Sequence, residues 1–219
     1  MRRYEIRDDQ WDNIKDLLPA ERKPQGGRPP NDHRQILNAM LWVARTGAPW
    51  RDLPEYYGSW FTVYSRFCRW KIAGIWDRIL EHVSIEPDFE SIMIDATIVR
   101  VHQHGAGAKG GPLSKLFWAV PRRIEQMDLT KKQVLADRAY DTNRILHLLK
   151  EQSATSVIPS KKNRLKPRKW DKEIYKERHL IECFFNKVKN YRRLATRYDK
   201  LACTFRAFLT LASIMVWLA

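Results

Sequence analysis

Two short apolar runs, Ser91-Ile-Met-Ile-Asp95 and Gln133-Val-Leu-Ala-Asp137, each end in an aspartate. Both have the length and composition of buried parallel strands, which are apolar on both faces. Such strands deliver their last residues to the carboxyl edge of an open α/β sheet, where ligands bind. A helix over residues 142–150 and a third strand over residues 154–159 extend the pattern. The sequence therefore predicts an α/β fold with both aspartates at one sheet edge.

A third acid, Glu182, lies between apolar neighbours in a predicted helix over residues 172–191. A buried carboxylate needs a compensating contact, because leaving it unpaired costs several kcal/mol. One candidate is Arg178, one helical turn earlier on the same face. The other is a divalent cation shared with Asp95 and Asp137, because Mg²⁺ prefers oxygen ligands. An aspartate at a strand end is more often a cap than a metal ligand. Neither the ion pair with Arg178 nor the shared metal ion is therefore excluded by the sequence.

The chain of 219 residues has a formal net charge of +15, and the charge is uneven. Residues 161–200 hold 15 Lys or Arg against 5 Asp or Glu. An excess of this size predicts a polyanionic partner, with nucleic acid as the first candidate. The run KKNRLKPRK, from Lys161 to Lys169, is either a solvated loop or a phosphate contact.

Other compositional features indicate an intracellular protein. Three cysteines are too few for a disulfide framework, which favours a reducing compartment. The most apolar stretch, residues 207–219, is too short to span a bilayer, and the first residues lack the apolar segment of a secretory signal. We expect a cytoplasmic protein without a membrane partner.

The N-terminal part is expected to be helical and separate, since six of nine tryptophans fall within the first 76 residues. Apolar periodicity predicts helices over residues 9–18, from an Asn31 cap to Gly47, from a Ser59 cap, and over residues 75–83. Residues 84–91 would join this part to the next. A further helix over residues 201–218 is expected to pack on the sheet.

The helix that follows Ser59 carries both apolar and basic residues. Its inward face is expected to hold four residues: Phe61, Tyr64, Phe67 and Cys68. Basic residues lie elsewhere on its circumference: Arg66, Arg69 and Lys71. Short helices with a basic penultimate member fit a helix-turn-helix module whose second helix enters the major groove. A plain helical bundle fits the same pattern equally well.

Four residue types at fixed spacing surround Glu182, in the pattern Y-x2-R-x3-E-x6-K formed by Tyr175, Arg178, Glu182 and Lys189. This pattern resembles the signature of a large group of bacterial insertion-sequence transposases of the DDE class. The flanking text resembles the insertion-sequence-five family, in GRPPNDHRQILNAMLWVARTGAPWRDLPEYYGSW, VYSRFCRWKIAGIW, MIDATIVRVHQHGAGAKGG, LADRAYDT and NYRRLATRYDK. These segments together cover most of the chain.

The resemblance implies a ribonuclease-H-like catalytic domain over residues 87–219, preceded by a helix-turn-helix-like DNA-binding domain over residues 1–86. Asp95, Asp137 and Glu182 would be the catalytic residues and would hold two Mg²⁺ or Mn²⁺ ions for DNA cleavage and strand transfer. Basic and aromatic positions would contact DNA: Tyr175, Arg178, Lys189, Arg192, Arg193 and Arg197. The expected partners are double-stranded DNA, as terminal inverted repeats and target, and a second copy in a DNA-bound homodimer near the nucleoid.

One segment departs from the family. Asp95 and Asp137 lie 42 positions apart, and the text between Gly111 and Gln133 does not resemble the two strands expected there. We interpret this as an internal deletion. The alternative function is therefore a catalytically inactive copy that acts only as a DNA-binding protein, and a third is a structure-specific nuclease of the same fold.

Overall fold

The computed structural model describes residues 4–20, 32–84, 91–94, 100–101, 125 and 127–219. Contacts divide the chain into two compact units. The helical unit comprises Met1–Ile85, Val99–Ala108 and Lys187–Ala219, and the sheet unit comprises Glu86–Ile98 and Lys109–Asn186. The domains expected over residues 1–86 and 87–219 stay a prediction; the contacts place residues 187–219 in the helical unit.

The described helices in chain order are α1 (Asp8–Asp12), α2 (His33–Thr46), α3 (Trp60–Ile72), α4 (Ile75–Val83), α5 (Asn143–Glu151), α6 (Lys172–Lys176), α7 (His179–Lys189), α8 (Arg192–Ala195) and α9 (Ala202–Trp217). The described strands are β1 (Ser91–Ile94), β2 (Arg100–Val101), β3 (Gln133–Ala136), β4 (Thr155–Val157) and β5 (Thr196–Arg197). Single 3-10 turns occupy Lys15–Leu17, Trp50–Asp52, Glu55–Tyr57 and Arg138–Tyr140. No helix in these residues is long and apolar enough to cross a membrane.

Helix α2 has a polar cap at its start and a glycine at its end. The Asp32 carboxylate accepts a hydrogen bond from the Arg34 backbone N–H at 2.9 Å, which satisfies a donor that the first turn leaves open. Asn31, the predicted cap, lies outside the described residues. Gly47 ends the helix at φ +73°, a conformation that favours glycine. The apolar residues of one face of α2 are buried: Ile36, Leu37, Met40, Leu41 and Val43.

Helix α3 buries a different face from the predicted one. Val63, Phe67 and Trp70 are buried, whereas Phe61 is 62% exposed and Tyr64 is also exposed. Only Phe67 of the predicted set is thus fully buried. The two stripes share Phe67 and lie side by side on a helix that is apolar over much of its circumference, so helical periodicity does not choose between them.

Helix α9 completes the core of the helical unit. The ring of Phe208 stacks on that of Phe67, with centroids 4.5 Å apart, and lies 5.8 Å from Trp50. Along α9, residues Ala207 and Phe208 and residues Thr210 to Ile214 are buried. The expectation that this helix packs on the sheet was wrong, because its buried residues pack within the helical unit, where Phe208 contacts Phe67 of α3 and Trp50 of the turn Trp50–Asp52.

The sheet unit contains the predicted parallel strands, in the order β1-β3-β4. Ile94 pairs with Ala136, and Leu135 pairs with Val157. Helix α5 begins at the Thr142 cap, and its Ile145 and Leu149 belong to the same core as the strands. An α/β architecture is confirmed for this unit.

The long helix predicted over residues 172–191 is interrupted. Asp171 caps α6 by accepting hydrogen bonds from the Glu173 and Ile174 N–H groups. Helix α6 ends at Lys176, and α7 begins at His179. The interruption leaves Arg178 just before the second helix.

Candidate functional site

Asp137 directly follows β3, at the carboxyl edge of the parallel sheet. Its Oδ1 accepts a hydrogen bond of 2.8 Å from the Ala139 backbone N–H, so it caps the turn Arg138–Tyr140. The side chain is half-buried. The capping interpretation of this aspartate is therefore realised, and among the described contacts the cap uses only one carboxylate oxygen.

Asp95 follows β1, whose last residue Ile94 lies opposite Ala136. Asp95 itself lies outside the described residues, as does the shortened segment from Gly111 to residue 124. Its position beside Asp137 stays a prediction, and so does the internal deletion.

Glu182 is not buried, contrary to the expectation from its apolar neighbours. Its side chain is 52% exposed and forms an ion pair with Arg178, one turn earlier. Successive residues of a helix point about 100° apart, so apolar neighbours in sequence do not imply an apolar surrounding. Of the two partners considered for Glu182, the Arg178 ion pair is therefore observed.

Tyr175 and Arg178 lie close together beside Glu182. The guanidinium carbon of Arg178 is 5.9 Å from the centroid of the Tyr175 ring, a cation–π distance. Trp170 packs against the other side of the cluster, with its ring 4.9 Å from Tyr175. Lys189, the fourth signature residue, is exposed in the last turn of α7. The structure thus brings three signature residues together.

A complete metal site is absent from the residues that the structure describes, where no three His, Cys, Asp or Glu side chains are grouped. Of the expected ligands, only Asp137 and Glu182 fall within this part of the chain. The metal set of Asp95, Asp137 and Glu182 stays a prediction.

Asp141 has a role that the sequence reasoning missed. Its side chain is fully buried, Oδ2 accepts from the Lys161 backbone N–H at 2.8 Å, and Oδ1 accepts from Arg164 and Arg168, both at 2.7 Å. Burial alone would raise the pKa of Asp141, but these partners together hold its pKa below the usual value. A second acid four positions after Asp137, with a basic run downstream, was the available signal.

Several residues expected to contact DNA are engaged within the helical unit. Arg66 Nη1 lies 2.9 Å from His33 Nδ1, and Lys71 Nζ donates to Thr204 Oγ1 at 3.2 Å. Arg69 and Arg192 are exposed. These contacts favour Arg69 and Arg192 over Arg66 and Lys71 as phosphate contacts.

Arg193 is held in the core of the helical unit. Its Nε and Nη2 donate to the two carboxylate oxygens of Asp199 at 3.0 and 2.7 Å, and Nη1 donates to the Ala48 carbonyl at 3.1 Å. Both side chains of the pair are 8% exposed. This geometry argues against the expected phosphate contact of Arg193. Arg197 donates to the carbonyls of Asp199 and Lys200, within its own loop.

Two family models match the chain. Residues 6–80 match the family described as "Putative transposase of IS4/5 family", and residues 134–219 match "Transposase DDE domain". The DDE model includes Asp137 and Glu182, whereas Asp95 lies between the two matched ranges. The DDE model also includes residues 187–219, which the contacts assign to the helical unit.

Three curated relatives carry further information. "Uncharacterized protein y4sN" of Sinorhizobium fredii is 45% identical over 51% of this chain and 91% of its own length. "Putative transposase for insertion sequence element IS6501" of Brucella ovis is 43% identical over 39% of this chain and 66% of its own length. "Insertion element IS402 uncharacterized 16.2 kDa protein" of Burkholderia cepacia is 36% identical over 48% and 78%. No solved structure matches the chain.

Proposed function

We propose that this chain, which belongs to the DDE transposases of the IS4/5 insertion-sequence family, cleaves the ends of its own mobile element and joins them to target DNA. The observation that carries the proposal is Asp137, which lies at the carboxyl end of a parallel strand inside the range matched by the DDE model. Open α/β sheets hold their sites at this edge. We extend the proposal to a ribonuclease-H-like fold for the sheet unit.

The expected ligands fit a hard divalent cation, since Asp95, Asp137 and Glu182 all offer carboxylate oxygens. The cap at Asp137 occupies only Oδ1 among the described contacts, and the Glu182 side chain is half exposed. Two Mg²⁺ or Mn²⁺ ions held there would activate an attacking hydroxyl and stabilise the leaving oxygen of a phosphodiester.

The remaining signature residues would position the DNA. Arg178 balances the charge of Glu182 and packs its guanidinium near Tyr175, so both side chains are oriented at the same place. Lys189 is exposed and available to a phosphate. The helical unit would bind the terminal inverted repeats through a helix-turn-helix module that includes the basic helix α3, and two copies would hold two ends as a dimer near the nucleoid.

The proposal is tested by a cleavage assay on a labelled duplex that carries the terminal sequence flanking the gene. We expect nicking that requires Mg²⁺ or Mn²⁺ and that Asp137→Ala and Glu182→Ala abolish without loss of binding. Glu173→Ala is the matched control, because Glu173 is an exposed acid at the start of α6, paired with Lys176. Loss of cleavage in the control alone would contradict the assigned roles.

A second function, DNA binding without catalysis, is favoured by the short stretch of chain between the two expected catalytic aspartates. Asp95 and Asp137 are only 42 positions apart, fewer than the resemblance to the family implies. Binding to the terminal repeats without metal-dependent cleavage would favour this second function. Cleavage of unrelated DNA without preference for those ends would favour a structure-specific nuclease.

A further inference from the structure

A basic loop, residues 160–169, follows β4 on the edge of the sheet that holds Asp137. Strands β3 and β4 are parallel, with Leu135 opposite Val157, so the residues that follow them emerge on the same edge. The hydrogen bond from the Lys161 N–H to Asp141 Oδ2 joins the loop to the turn after Asp137. The loop therefore lies beside the proposed catalytic edge.

The loop is fixed at both ends through the buried Asp141 carboxylate. Besides the Lys161 N–H, this carboxylate holds Arg164 and Arg168, which approach from later in the loop. Arg164 also donates to Asn143 Oδ1 at 2.7 Å, and the Arg168 backbone N–H donates to Ser160 Oγ at 3.0 Å. Charge-assisted hydrogen bonds of this kind are shorter and stronger than neutral ones.

The bracing leaves a surplus of positive charge. One carboxylate holds two arginines, and four exposed lysines surround them: Lys161, Lys162, Lys166 and Lys169. In the described part of the chain none of these lysine side chains forms an ion pair. Like charges repel one another, so a cluster of cations held in a fixed shape becomes favourable when a polyanion lies against it.

We propose that residues 160–169 form a binding surface for the phosphate backbone of duplex DNA, and that Asp141 is the positioning residue that holds this surface in shape. The inference rests on the proposed function, because the ligand is the DNA that the sheet unit would cleave. In this proposal the flexible lysine side chains bind phosphates as point charges, and the braced arginines hold the DNA backbone in a fixed position between these lysines.

The lysines are tested by the salt dependence of DNA binding to the full chain, measured by fluorescence anisotropy on a labelled duplex of mixed sequence. Each lost phosphate contact lowers the slope of log K against log salt by about 0.9. We expect the double variant Lys162→Ala, Lys166→Ala to lower the slope by about 2. The matched control is Lys131→Ala, Lys150→Ala, which removes two exposed lysines at the opposite edge of the sheet. An equal loss in both double variants would overturn the proposal.

The role of Asp141 is tested by whether Asp141→Asn raises or lowers the affinity for DNA. Removing an acid makes the protein more basic, so charge alone predicts that Asp141→Asn binds DNA more tightly. Positioning predicts the opposite, a several-fold weaker binding with a lower salt slope. Tighter or unchanged binding by a folded variant would overturn the role of Asp141. If circular dichroism finds the variant unfolded, Asn143→Ala replaces it, because it removes the hydrogen bond that braces Arg164 and leaves the net charge unchanged, so that charge alone predicts unchanged binding and positioning predicts weaker binding.

The two levels of the proposal fail in different ways. A wild-type chain that does not bind the duplex at any salt concentration would refute the proposed function itself. A chain that binds and cleaves the terminal duplex while the loop variants match the wild type would refute only the inference about this loop.

Discussion

The buried pair of Arg193 and Asp199 gives the sharpest test of the helical unit. Removing one partner of a buried ion pair leaves an uncompensated charge and costs about 3–5 kcal/mol. We therefore expect Asp199→Ala to lower the free energy of unfolding by an amount of this order, because Arg193 loses both hydrogen bonds to the carboxylate and keeps only the one to the Ala48 carbonyl, besides its contacts with the Phe208 and Trp50 rings. A domain is stable by only about 5–15 kcal/mol, so the variant would be severely weakened.

An exposed pair in the same unit supplies the control. Asp77 accepts from Arg206 at 3.0 Å, and the two side chains are 49% and 67% exposed. Such pairs contribute about 0–1 kcal/mol, so Asp77→Ala is expected to change little. Each variant removes one carboxylate that pairs with an arginine: Asp77 on α4, or Asp199 in the loop before α9. The two pairs differ mainly in burial.

Urea unfolding followed by tryptophan fluorescence measures both variants on the full chain. Seven of the nine tryptophans belong to the helical unit, so this signal reports mainly on its unfolding. The reasoning is refuted if Asp199→Ala loses no more stability than Asp77→Ala. A DNA affinity that rises in Asp199→Ala, together with unchanged stability, would instead restore Arg193 as a phosphate contact.

Three further outcomes are expected. Gly47→Ala should lower the free energy of unfolding in urea by about 1–2 kcal/mol, because φ is +73° and the new Cβ would lie 3.3 Å from Cβ of Arg192. Gly74→Ala, at φ +66° but with no atom within 4 Å of the new Cβ, should lower it by less. Burial would raise the pKa of Asp141, but its partners outweigh burial and the pKa is lowered on folding. The ionised carboxylate therefore stabilises the folded protein fully above the unfolded pKa of about 4, and this stabilisation is lost as the pH falls through the folded pKa. The free energy of unfolding of Asp141→Asn should accordingly depend less on pH in the acid range. Arg178→Gln frees the Glu182 carboxylate and should tighten Mn²⁺ binding in calorimetry, and weaker binding would contradict a metal role for Glu182.

The sheet unit was largely predictable, because each of its signals is local. Apolar runs of four residues identified β1 and β3, and the polar residue after each run marked the carboxyl edge. Thr142 begins α5 as a cap, which is a signal readable from sequence. Asp137 was found for the same reason, since a strand end can be located without tertiary information.

The missed features depend on contacts between distant residues. The burial of Asp141 cannot be derived from local sequence, because its partners Arg164 and Arg168 lie 23 and 27 positions away and carry no periodic pattern. Helix α9 offers an apolar face that either unit could cover, and the choice depends on the shape of the aromatic core around Phe67 and Phe208. Hydrophobic burial is not directional, so sequence alone does not assign its partner.

The division of the chain explains why binding and cleavage could separate in this molecule. The helical unit takes its residues from three segments, and none of them includes the stretch between Gly111 and Gln133. Its core is closed by α9, which arrives only after the chain has passed through the whole sheet unit. A deletion within the sheet unit therefore removes no described residue of the helical core, and it also retains the exposed Lys189 and Arg192 of the helical unit. On the proposed function, a copy with a defective sheet would keep the binding of the helical unit to the terminal repeats and lose cleavage, so cleavage at these repeats, and not binding to them, decides between the two functions.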